Sequence, residues 1–104
     1  MRLYIKCADA IKSAGPLDVV YPVTGGYAVM SYTDADEYIA CVVSDILARD
    51  PIACDDDIDM VIQAMSYDFE TTPEYWDLDN DLEHEIITDY INEVKAKLEE
   101  RLSL

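Results

Sequence analysis

The order of apolar and polar positions divides this chain into short β-type stretches near its start and helical stretches after them. Residues 2–7 (Arg-Leu-Tyr-Ile-Lys-Cys) alternate enough for a short strand, and Ala8 to Ala14 then suits a short helix that Gly15-Pro16 stops. A single helix over residues 3–14 is the rival, and periodicity leaves both readings open. Two β-rich runs follow, Val19-Val20-Tyr21-Pro22-Val23 and Tyr27-Ala28-Val29-Met30-Ser31-Tyr32, on either side of Thr24-Gly25-Gly26. Such runs around a Gly-Gly turn predict a hairpin near residues 19–32. Pro22 has no N–H to give to a ladder, so its strand belongs at an edge.

From residue 33 the period becomes helical. Thr33 or Asp34 is placed to cap a helix, with Asp36 or Glu37 three residues on, as in a capping box. Ile39, Val42, Val43 and Ile46 form its apolar stripe, and Asp50-Pro51 ends it near Arg49. Asp55-Asp56-Asp57 begins another helix, with Ile58, Val61, Ile62, Met65 and Phe69 facing inward. Residues 70–80 read as an acidic and aromatic loop. The last helix runs from about Asn80 to Leu102, with Leu82, Ile86, Tyr90, Val94, Leu98 and Leu102 on one face. The expected fold is α+β in a single domain of 104 residues: a small antiparallel sheet packed by three or four helices, the C-terminal one long.

Charge changes the picture. An apolar fraction of 51% is ordinary for a globular chain, but 23 acids stand against 7 bases, for a net charge of −16. The imbalance is local: residues 34–93 hold 19 acids and one base, Arg49, while residues 1–33 and 94–104 each hold two acids and three bases. Such a domain repels nucleic acid, anionic membranes and acidic substrates, and attracts basic partners or cations. In the last helix Asp81, Glu85, Asp89 and Glu93 recur every four residues with no base among them. Like charges at that spacing destabilise a helix by a few tenths of a kcal/mol each, so folding alone does not explain the row. Asp55, Asp56, Asp57 and Asp59, with the loop residues Tyr75, Trp76, Asp77 and Asp79, complete the candidate partner-binding set. Plainer roles compete with this one. Acids at a helix start are favoured by the dipole, and a charged row can be merely a solvated face.

Catalytic and metal-binding readings fare worse. Asp77, Asp79 and Asp81 match the first ligands of an EF-hand loop, but Leu82 stands where its glycine is needed and Thr88 where its bidentate glutamate is needed. Asp55, Asp57 and Asp59 fail likewise at Met60 and Ser66. Cys7, Cys41, Cys54 and His84 show no zinc spacing, and the one histidine, His84, sits among Asp81, Glu83 and Glu85, as a surface residue does. Thr24-Gly25-Gly26 lacks the lysine and helix start of a phosphate loop, and no carboxylate pair stands out. The expectation is a non-enzyme with no cofactor and no metal. The three cysteines lie in or beside apolar runs, as reduced buried thiols do, which suggests the cytosol. Lys6 interrupts any signal-like stretch, and the longest apolar run is about six residues, Tyr38 to Val43, too short for a membrane.

Small size, acidity and α+β make-up resemble the acidic DNA-mimic inhibitors that phages and mobile elements use against host defence, the antirestriction and anti-CRISPR proteins. Tyr32-Thr-Asp-Ala-Asp-Glu-Tyr-Ile-Ala-Cys41 is similar to an acidic helix start in ArdA-type antirestriction proteins. The resemblance implies a basic nucleic-acid-binding host protein as partner, a CRISPR effector or a restriction enzyme, with no direct contact to nucleic acid. The alternative is an interaction or regulatory module acting through an apolar helix face, its acidity serving solubility. In that reading Ile87, Ile91, Val94 and Leu98 offer a seam for a homodimer.

Overall fold

The computed structural model describes residues 2–71 and 81–102. The N-terminal segment is strand then helix: β1 (Arg2–Tyr4) is followed by α1 (Cys7–Ser13). The hairpin comes next, as β2 (Asp18–Val23) and β3 (Gly26–Ser31), with Gly25 at the turn in a left-handed conformation, φ +86°. The strands form one antiparallel sheet in the order β1-β3-β2, with Tyr4 opposite Tyr27 and Tyr21 opposite Ala28. Pro22 therefore does sit in an edge strand, and its carbonyl accepts a hydrogen bond from the Tyr38 hydroxyl at 3.2 Å.

Three longer helices follow: α2 (Tyr32–Arg49), α3 (Asp55–Thr71) and α4 (Asp81–Leu102). The first starts earlier than Thr33 or Asp34, because Ser31 is its cap and accepts the Asp34 N–H at 3.2 Å. Likewise α3 continues through Thr71, into the stretch expected to be loop; residues 72–80 of that stretch lie outside the described residues. The sheet is covered on both faces. Tyr21, Ala28 and Met30 share one core cluster with α2 and α4 and with α3, which lies on α4, whereas Tyr27 and Val29 pack with Cys7 and Ala10 of α1.

The buried face of α4 is not the expected one. Glu83, Ile87, Tyr90, Ile91, Val94 and Leu98 are inside, while Leu82 is 53% exposed and Ile86 half-buried. A strict spacing of four drifts about 40° per step, so six such positions cannot share a face; alternating steps of three and four can. The seam proposed for a homodimer is consequently taken. Ile87, Ile91, Val94 and Leu98 are packed in the protein's own core and offer nothing to a second copy. Of the cysteines only Cys7 is buried; Cys41 and Cys54 are exposed, against the expectation for all three, and no disulfide forms. Among the described residues no helix is long and apolar enough to cross a membrane.

Candidate acidic interface

The drift that turns Leu82 outward also shapes the acidic row. Glu85, Asp89 and Glu93 are all exposed, and none is in an ion pair with a described residue. Glu85 sits opposite the buried face, and successive steps of about 40° bring Asp89 and Glu93 round to the flank beside β2. There they line a groove of about 450 Å³ together with Asp18 to Tyr21 of β2, Tyr32 at the start of α2, and Ile86 and Asn92. Asp81 heads α4, but its side chain lies outside the described residues, as do Tyr75, Trp76, Asp77 and Asp79.

Tyr21 forms the inner wall of this groove. Its ring packs 5.4 Å from that of Tyr90 and 6.3 Å from that of Tyr38. Burial pushes its phenol up to about 12, and the negative charges of Glu93, Asp36 and Asp89 add to the effect. Carboxylates from two helices thus act on one hydroxyl. Burial also raises Tyr38, against a lowering from its hydrogen bond with Tyr90. The sequence alone does not mark Asp36, Tyr21 and Tyr32 as part of this surface, because only the packing of β2 and the start of α2 beside α4 brings them to the row. The one available signal was Tyr21, a polar-tipped residue between inward-facing Val19 and Val23.

The acids of α3 lie elsewhere. Asp55 and Asp59 share a cleft of about 310 Å³ with Lys95 and Glu99 of α4. Lys95 Nζ is 3.7 Å from Asp59 Oδ1, so one acid of this cluster meets a base from the C-terminal segment. Asp57 is half-buried and accepts the Ala53 N–H at 2.8 Å, which ties the chain entering α3 to its first turn. Asp56 is exposed. The two clusters therefore occupy opposite flanks of α4 and do not form one strip.

The sites considered for chemistry can be placed as well. Residues 55–59 are the first turns of a helix, not a calcium loop, and His84 is exposed on α4. Among the described residues no group of three or more His, Cys, Asp or Glu side chains is arranged to hold a metal ion. Another groove, of about 590 Å³, lies between the end of α2 and α3 and is lined by Arg49, Asp50, Met60, Val61, Met65 and Asp68 among others. No protein-family model matches the chain, and neither the curated proteins nor the solved structures yield a match.

Proposed function

We propose that this protein is a non-enzymatic inhibitor, encoded by a phage or mobile element, whose carboxylates stand in for nucleic-acid phosphates. Its target is a basic DNA- or RNA-binding site on a host defence protein in the cytosol, a CRISPR effector or a restriction enzyme. The observation that carries this reading is the row Glu85, Asp89, Glu93: exposed, on a 22-residue helix, with no ion pair to a described residue. Between Glu85 and Glu93 the helix rises about 12 Å, with a carboxylate about every 6 Å. Duplex DNA carries a phosphate per about 3.4 Å of axis on each strand, wound round the duplex so that neighbours lie at similar separations. Asp36 and the groove beside β2 widen the negative surface.

A surface of this kind draws a basic partner from a distance, and the association weakens as salt screens it. The test is displacement. Added protein should strip labelled nucleic acid from its target, and a target that holds both at once would refute mimicry. The rival reading, a module working through an apolar helix face, loses its main support because that face of α4 is inside the fold.

A further inference from the structure

The groove between β2 and α4 has features that a merely solvated acidic face does not need. Tyr21 is only 8% exposed, yet its hydroxyl makes no hydrogen bond with a described residue. Other phenols of the fold behave differently: half-buried Tyr38, beside it, donates to the Pro22 carbonyl, and buried Tyr27, on the other face of the sheet, donates to Glu83. Buried hydroxyls are normally satisfied, so one left open on a groove wall points to a group that completes it from outside. Asp89 and Glu93 line the same groove without an ion pair to a described residue, and Tyr32, 60% exposed, lines it too. Asp18, also on the wall, is already held by Arg2 and the Gly15 N–H.

We propose that this groove takes an arginine side chain of the partner, its guanidinium donating to Asp89, Glu93 and the Tyr21 hydroxyl oxygen and lying against the ring of Tyr32. The inference rests on the function proposed above and names the side chain that the surface receives. Three acceptors around an aromatic wall suit a flat cation with five N–H donors in a fixed fork. An ammonium has fewer donors and no plane to stack. Tyr21, a phenol, is neutral at physiological pH and brings no third negative charge into the groove.

The probes are a short, blocked glycine–arginine repeat peptide and its lysine counterpart of equal charge, titrated into the full isotope-labelled chain at low salt and followed by amide shifts. The arginine peptide should bind more tightly, with shifts concentrated on β2, the start of α2 and the middle of α4. Tyr21→Phe should weaken it about fivefold, the worth of one hydrogen bond, and leave the lysine peptide unchanged. Glu93→Gln should weaken both peptides, whereas Asp45→Asn, the same charge change at an exposed site on the side of α2, should leave the arginine preference intact. Equal binding of the two peptides with diffuse shifts, unaffected by Tyr21→Phe, would overturn the arginine site while leaving the acidic surface standing. Failure of the arginine peptide to bind would overturn it too, and displacement of nucleic acid from a target would still be measurable on its own.

Discussion

The Tyr27 hydroxyl donates a hydrogen bond to Glu83 Oε1 in the interior, joining the middle strand of the sheet to the first turn of α4 across 56 positions of sequence. Tyr27 is fully buried and Glu83 is 2% exposed, so the chain holds one of its acids inside while setting the next members of the same helix outside. Pinning the first turn of α4 fixes the helix's rotation, and that rotation decides which carboxylates reach solvent. With Glu83 turned in, Glu85 and Asp89 are turned out.

Removing the donor should therefore weaken the fold. Tyr27→Phe leaves the Glu83 carboxylate buried without this hydrogen bond and should cost about 1–3 kcal/mol in urea unfolding. Glu83→Gln keeps an acceptor oxygen opposite the phenol and should cost less. Unfolding midpoints for both variants check the order, and an unchanged Tyr27→Phe would contradict it.

The unpaired row makes an unusual prediction about stability. Asp89→Lys places a cation between Glu85 and Glu93, turning two repulsive spacings into two attractive ones, each worth about 0.2–0.5 kcal/mol. The melting temperature should rise while displacement of nucleic acid from the target is lost. A variant that melts lower would mean that Asp89 serves the fold itself.

Alkaline pH probes the groove. Tyr21 keeps its proton longer when folded, at about 12 against 10.0 for the free side chain. Its contribution to stability is then fully present below pH 10 and disappears as pH rises from there toward 12. Unfolding midpoints of Tyr21→Phe should decline less across that window than those of the unchanged protein, with Tyr38 accounting for part of what remains. Parallel declines would show that the hydroxyl is not in a buried, negative setting.

The sheet has its own weak point at Gly26. Its backbone approaches the carbonyl of Tyr4 so closely that a Cβ would collide with that oxygen, and its φ of +157° is one that side chains rarely adopt. Gly26→Ala should destabilise by more than about 1 kcal/mol, with amide exchange rising first at the β1–β3 pairs. Equal protection in the variant would contradict the packing of β1.

What the residues disclosed follows from how local each signal is. The Gly-Gly turn set the hairpin, Pro22 set its edge, and Asp50-Pro51 set the end of α2, because each acts within a few bonds. The cap at Ser31 is hidden in the sequence by two other plausible caps just after it, Thr33 and Asp34. A spacing of four makes Glu85, Asp89 and Glu93 legible, but the buried face of α4 follows alternating steps of three and four, which a spacing of four does not trace. The groove was out of reach: Asp36, Tyr21 and Tyr32 join Asp89 and Glu93 only through tertiary packing, which no window of sequence contains. The division of acids between two flanks is likewise a product of packing, since it depends on Lys95 meeting Asp59 across α3 and α4.

The most direct test is anisotropy of labelled nucleic acid on a basic host target captured by this protein, followed as the protein is added at low and at high ionic strength. Release of the label at equimolar protein, with an affinity that falls steeply as salt rises, is the result expected of carboxylates occupying a phosphate site. A label that stays bound alongside the protein, or a release indifferent to salt, would contradict the account.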